Sequence, residues 1–183
     1  MSLKLNSLFS FGIDQGLANM GYSVIEIVYD EYFNEVDTIV YEFGTKTTSK
    51  EEDKNKRLLN LFEFIFERTK AYNFNIVSCE KLFFNPKIGG RNKSASIMET
   101  QLVTSLVGLL SAKANSEFKE FVPGTVKKYI TGSGRAKKED MKQALIDYCE
   151  KQAIKPKTEH EYDSIGIALT GGRYLLDKMK KEG

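Results

Sequence analysis

Histidine occurs once and cysteine twice in the 183 residues, and no apolar run approaches the roughly 20 residues that a bilayer-spanning helix needs. Cys79 and Cys149 are too few and too isolated for a disulfide framework or a thiolate zinc site, and two ordinary thiols suit a reducing compartment. The N-terminal Met-Ser-Leu-Lys-Leu-Asn has neither the cationic start nor the long apolar stretch of a signal peptide, so an intracellular protein with no membrane role is expected. Internal repeats, linkers and low-complexity tracts are absent as well. With 41% hydrophobic residues, the composition suits one α/β domain over residues 1–183 with a sizeable core.

Net charge is small, at +2, but unevenly placed. Residues 81–142 hold twelve Lys or Arg against five Asp or Glu, a local excess of +7 that leaves the remainder at −5. Phosphate contacts need clustered cations, so this segment is a candidate polyanion-binding face. A solvated surface is the alternative for any charge run, and the acids nearby weigh against it.

Apolar alternation predicts strands over 7–14, 20–29 and 35–44, with a turn at Tyr32-Phe33-Asn34 that implies antiparallel pairing. A helix is predicted over 50–72, with Leu58, Leu59, Leu61, Phe62, Ile65 and Phe66 as its apolar stripe. A strand over 75–80 follows, then a loop rich in Asn, Pro, Gly and Lys at 85–93 and a helix over 94–114. A fifth strand over 118–122 leads into helices at 124–130, 137–152 and 159–179, the first of them broken by Gly132-Ser133-Gly134.

Asp14, in GIDQG, closes the first strand, and Glu80 closes the fourth. His160 and Asp163, three residues apart, share one face of the last helix, whose continuation Ser164-Ile165-Gly166-Ile167-Ala168-Leu169 is suited to burial against a sheet. That packing presses the helix start onto the strand ends. Charged side chains there are costly if buried alone, so Asp14, Glu80, His160 and Asp163 together read as a divalent-metal nuclease site. Taken singly, each has a plainer explanation. An aspartate at a strand end can cap a turn, Glu80 beside Lys81 can be an exposed pair, and a lone histidine is more often structural. The Gly-x-Asp-x-Gly turn also occurs in actin-like and Hsp70-like ATPases, although those need two lobes to enclose a nucleotide.

The series GIDQG-x4-GYSVIE, IVSCEKLFF, VKKYITGSGRAKKEDM and EYDSIGIALT, spread over about residues 8–172, resembles the RuvC-type Holliday junction resolvases, of ribonuclease H-like fold. The resemblance implies a five-stranded mixed sheet, three antiparallel strands then two parallel, flanked by helices. It implies catalytic, metal-holding roles for Asp14, Glu80 and Asp163, with His160 in a fourth place where many members carry Asp and some His. Gln15 stands where members usually have Pro, which is taken as a turn variation. Two Mg²⁺ or Mn²⁺ ions per site, bridged by Asp14, are the implied cofactors, and a nick with 5′-phosphate and 3′-hydroxyl is the implied product. His160 is either a ligand or a proton acceptor.

Lys127 and Lys138 match basic positions that contact phosphate in the family, and Lys128, Arg135 and Lys137 are expected to broaden the groove. Phe83 matches the aromatic that enters the junction centre, with Phe84 its neighbour; both are also plausible core residues. The implied role is a crossover junction endonuclease in DNA recombination and repair, cutting two strands by symmetric nicks. A homodimer is the counterpart of such a two-fold substrate. The 94–114 helix is the expected interface, through Ser94, Ala95, Ser105, Gly108, Ser111 and Ala112 with Ile97, Leu102, Leu109 and Leu110; packing on the chain's own sheet is the alternative, and one helix can do both. Rival readings are a related nuclease for other branched DNA or RNA, a non-catalytic junction binder, and an actin-like ATP-binding protein. A helicase partner is not inferable from a basic groove.

Overall fold

The computed structural model describes residues 5–82 and 91–182, with side chains from Ser96 onward in the second stretch. Strands β1 (Asn6–Asp14), β2 (Asn19–Tyr29), β3 (Glu35–Thr47), β4 (Ile76–Glu80) and β5 (Glu117–Phe121) form one sheet in the order β3-β2-β1-β4-β5. The β1–β2 and β2–β3 pairs are antiparallel, and the β1–β4 and β4–β5 pairs are parallel. This is the mixed sheet expected. Helices α1 (Lys54–Ala71) and α2 (Arg91–Lys113) cover one face, while α3 (Pro123–Thr131), α4 (Lys138–Lys151) and α5 (Glu159–Glu182) belong to the other.

The two-residue period of a strand decides what each face receives. Phe11 and Ile13 of β1, Met20 and Val24 of β2, and Val77 and Cys79 of β4 pack with Leu61, Ile65, Val103, Val107 and Leu110 of α1 and α2. The intervening positions, Leu8, Ser10, Gly12 and Asp14 of β1 with Ser23, Ile25 and Ile27 of β2, turn to the α5 side. Burial of this kind stabilises by about 25 cal/mol per Å² of apolar surface, so both helix layers are held on the sheet.

Several boundaries differ from the sequence expectation. β3 runs on to Thr47, because Thr45, Lys46 and Thr47 pair with Gly21, Met20 and Asn19. Polar residues on an edge strand carry no apolar alternation to reveal this. α1 begins at Lys54 instead of 50, since the Asp53 carboxylate accepts hydrogen bonds from the Asn55 and Lys56 amides and caps it. Leu59 of the expected stripe is 54% exposed, whereas Arg57 is only 7% exposed. On α2, Leu110 and Ser111 turn inward, and a Cβ at Gly108 would touch the Phe118 ring, so these three are not available as an outer face. No described helix is long and apolar enough to cross a membrane.

Candidate active site

The parallel ladder between β1 and β4 runs to Ile13 opposite Cys79. Its next positions are Asp14 and Glu80, both on the α5 side by alternation. Two glycines bring α5 close enough to meet them. A Cβ built on Gly12 would lie 2.3 Å from the Ser164 carbonyl oxygen, and one on Gly21 would lie 2.1 Å from that of His160. No larger residue fits without moving the helix. Two serines then suture the contact: Ser10 Oγ donates to the Ala168 carbonyl at 2.7 Å, and Ser23 Oγ donates to the Ser164 carbonyl at 2.8 Å. The first turn of α5 is thereby seated over the strand ends, and His160 Nδ1 lies 2.6 Å from Asp14 Oδ2.

Charge is concentrated at this end of the sheet. Burial pushes the Asp14 carboxyl above its usual range, against the opposing pull of His160. Burial likewise raises Glu80, reinforced by the negative charges of Asp14 and Asp163 and relieved in part by Lys127. Asp163, at the rim, is pushed up to about 6 by desolvation and then by Asp14 and Glu159, with Lys138 and His160 pulling the other way. Asp14 thus raises both Glu80 and Asp163, and Asp163 raises Glu80, an accumulation of negative charge that suits a cation.

A groove of about 200 Å³ lined by Glu80, Asp163, Lys127, Lys138 and Met141 opens beside them. Lys127 is fixed in it, its Nζ donating to the Ala136 carbonyl at 2.7 Å, while Lys138 reaches loosely to Glu159 at 3.7 Å. The structure therefore brings two of the five expected cations to the carboxylates. Lys128, Arg135 and Lys137 are exposed and do not line this groove. Phe83, the expected wedge, and Phe84 lie outside the described residues.

One participant escaped sequence reasoning. Gln15 is no mere turn variation: its Nε2 donates to the backbone carbonyl of Glu80, adding a side-chain rung just past the last β1–β4 pair. The side chain is 6% exposed, and its Oε1 has no partner among the described residues. A polar residue beside a catalytic-type aspartate was the available signal.

The donor set of three carboxylates and one imidazole suits a hard divalent cation such as Mg²⁺ or Mn²⁺. Asp14 and His160 are in contact, but among the described residues no three His, Cys, Asp or Glu side chains stand close enough to enclose an ion. An ion would draw Glu80 and Asp163 inward. Asp14 raises both carboxyls and Asp163 raises Glu80, a repulsion that a cation would relieve. Cys79 and Cys149 are buried thiols whose ionisation burial pushes up, which suits core residues and not nucleophiles.

Comparison with known proteins agrees with this architecture. The sequence profile of the family described as crossover junction endodeoxyribonuclease RuvC matches residues 10–171. A protein of that name from Prochlorococcus marinus (strain MIT 9312) is 31% identical over 172 residues, covering 94% of this chain and 96% of that one. Among solved structures, Thermus thermophilus RuvC in complex with a Holliday junction substrate superposes with a TM-score of 0.77 at 21% identity, covering 93% of this chain and 96% of its own. The yeast mitochondrial Holliday junction resolvase follows with a TM-score of 0.60 at 16% identity, covering 94% and 81%. With a five-stranded ribonuclease H-like sheet and matches along nearly its whole length, this chain belongs to the RuvC family of crossover junction endodeoxyribonucleases.

Proposed function

We propose that residues 1–183 act as one nuclease domain, a structure-selective endonuclease that resolves four-way DNA junctions by paired symmetric nicks. The observation that carries this reading is the gathering of Asp14, Glu80, His160 and Asp163 at one end of the sheet, beside a groove holding Lys127 and Lys138. Asp14, Glu80 and Asp163 would hold two Mg²⁺ or Mn²⁺ ions as anionic ligands, with His160 as the fourth group, ligand or proton acceptor. Such ions supply Lewis acidity at the phosphodiester and lower the pKa of bound water. Water adds to phosphorus, the bond from phosphorus to the 3′ oxygen breaks, and the products are a 5′-phosphate and a 3′-hydroxyl.

The chain's own residues do the positioning. Lys127, fixed by the Ala136 carbonyl, holds a phosphate oxygen near Glu80, and Lys138 on its longer tether follows the strand past Asp163. Gln15 keeps Glu80 in step with Asp14. Lys128, Arg135 and Lys137 extend the field that attracts DNA. Phe83 stacks on a base at the junction centre.

Paired nicks need two sites related by a two-fold axis. On α2, Met98, Leu102, Ser105, Leu109 and Ala112 recur at alternating spacings of four and three and are exposed, Leu109 by 74%. That stripe is the proposed homodimer seam.

The decisive experiment sets wild type beside Asp14→Asn on labelled four-way junction, linear duplex and RNA–DNA hybrid, in Mg²⁺, Mn²⁺ or EDTA, with binding and cleavage scored separately. Paired symmetric nicks in the junction by wild type, lost in the variant while binding survives, are expected. Junction binding without cleavage in either metal would leave a non-catalytic binder, and preferential cutting of the hybrid would make RNA the substrate.

A further inference from the structure

A second groove, of about 530 Å³, reaches the site through His160 and shares no lining residue with the Lys127–Lys138 groove. Its wall includes the Gly16–Asn19 turn that follows Asp14, together with Lys50, Arg57, Glu99 and Thr100. Arg57 is the unusual member. It is 7% exposed, and its Nε donates to Thr48 Oγ1 at 2.9 Å. Thr48 in turn donates its hydroxyl to the Leu17 carbonyl and its amide to the Ala18 carbonyl. The guanidinium is thus braced against the turn carrying the catalytic strand end.

No carboxylate pairs with Arg57 among the described residues. Residues 1–4 and 83–95, where side chains are not described, contain no Asp or Glu in sequence. Glu99 is the one acid in the groove lining, against Lys50 and Arg57. Arg57 is largely buried yet lines the groove with no described counter-charge paired to it, and the forked donors of a guanidinium match two oxygens of a phosphodiester. With Nε on Thr48, the two terminal nitrogens make no hydrogen bond to a described residue and can serve that purpose.

We propose that this groove is a second backbone-phosphate site, in which Arg57 grips a phosphate flanking the scissile one and Lys50 supplies charge at the rim. The inference rests on the nuclease reading above. It makes the carboxylates the midpoint of a strand path, with Lys127 and Lys138 holding one side and Arg57 the other. Neither Arg57 nor Lys50 falls in the basic 81–142 segment, so the DNA footprint extends beyond the region that charge counting singles out.

The test is a methylphosphonate walk: four-way junctions each carrying one neutralised phosphate near the cut position, bound in the Asp14→Asn background with Arg57 intact, Arg57→Lys or Arg57→Met. With Arg57 intact, one substitution flanking the cut weakens binding by about tenfold, as loss of a charge-assisted hydrogen bond implies. In Arg57→Met that substitution has no further effect, and the slope of log Kd against log salt falls by about 1. Arg57→Lys keeps the slope while losing part of the affinity, because the charge remains and the fork does not. An Arg57→Met variant with wild-type circular dichroism, an unchanged salt slope and an unchanged walk overturns the proposal. Should Arg57→Met not fold, Lys50→Gln at the exposed rim serves instead: a reduced salt slope with a shifted walk at the same phosphate supports the site, and no change removes it. Junctions nicked normally by wild type while Arg57 proves indifferent would refute this site alone; a wild type that neither binds nor nicks junctions would refute the nuclease reading.

Discussion

The two faces of β1 differ in what they demand of a residue. On the α1–α2 side Phe11 and Ile13 are fully buried among other apolar groups, and Phe11 stacks on Phe74 with ring centroids 4.8 Å apart. On the α5 side the same strand presents Ser10, Gly12 and Asp14, met at hydrogen-bond or sub-van der Waals range by helix backbone. One face needs volume, which several residues can supply. The other needs position, which in this packing tolerates no added atom. Toward the Asp14 end of this nine-residue strand, volume and close approach are thus assigned to opposite sides, while at its other end Leu8 joins the apolar core beneath α5.

The largest effect expected on the chemical side is that of Asp14→Asn. It removes one of three carboxylates from the proposed ion site, and with it several kcal/mol of transition-state stabilisation, so cleavage falls by about a thousandfold or more. Gel-based cleavage of a four-way junction alongside a binding titration checks this; retained cleavage would move the chemistry away from β1.

Next come paired substitutions that break the contrast between faces. Gly21→Ala forces a Cβ against the His160 carbonyl, with backbone on both sides and no flexible side chain to yield. A cost of about 3 kcal/mol is expected, at the upper end of overpacking effects, together with activity lost per folded molecule because α5 is displaced. Ile13→Val on the opposite face costs about 1 kcal/mol and leaves activity per folded molecule unchanged. Urea melts and specific activity at matched folded fraction separate the two. Equal behaviour of the pair would show that both faces act only through stability.

How much of this was legible in the sequence follows the same division. Short apolar runs rich in aromatic and β-branched residues placed β1, β2 and β4, and with them the ends carrying Asp14 and Glu80. The small-and-aliphatic run after Asp163 announced a helix buried on the sheet. Less legible was anything decided by a contact between elements. Arg57 looks like a solvated helix residue until α1 is docked, and Leu110 and Leu109 cannot be sorted into inner and outer faces until α2 is. β3 between Thr45 and Thr47 carries no apolar period, so only its partner strand defines it. Gln15 resembled a turn filler because its bond to Glu80 depends on the β1–β4 register.

Gln15 also sharpens the comparison, since it sits just past the last β1–β4 pair yet acts through backbone. Gln15→Leu removes the hydrogen bond to the Glu80 carbonyl, worth about 1 kcal/mol, and puts an apolar side chain at a buried position, so melting temperature is expected to change by only a few degrees. Turnover is expected to fall about tenfold with KM nearly unchanged, the size typical of a residue that orients a ligand from behind. A fall in stability with turnover intact would make Gln15 a structural residue only.

The smallest effect is a dependence of stability on pH, and its sign is set by burial of the acids. Asp163 has an ordinary carboxyl near 3.8 when unfolded and about 6 when folded. Between those values the folded chain keeps a proton that the unfolded chain has lost, so the stability this proton confers is complete below about pH 4 and is lost as pH rises through 6. Asp14 and Glu80 are raised in the same direction and add to the trend. A divalent ion reverses the penalty only where the carboxylates are ionised, because it competes with protons for them. Thermal melts at pH 4.5 and 7.5, with and without Mg²⁺ or Mn²⁺, are therefore expected to show ion-induced stabilisation at the higher pH alone. Asp163→Asn should flatten the metal-free decline and shrink the ion effect together, since one carboxyl underlies both. An ion effect that is the same at both pH values, or undiminished in Asp163→Asn, would place the cation elsewhere and leave the α5 face a packing surface like its opposite.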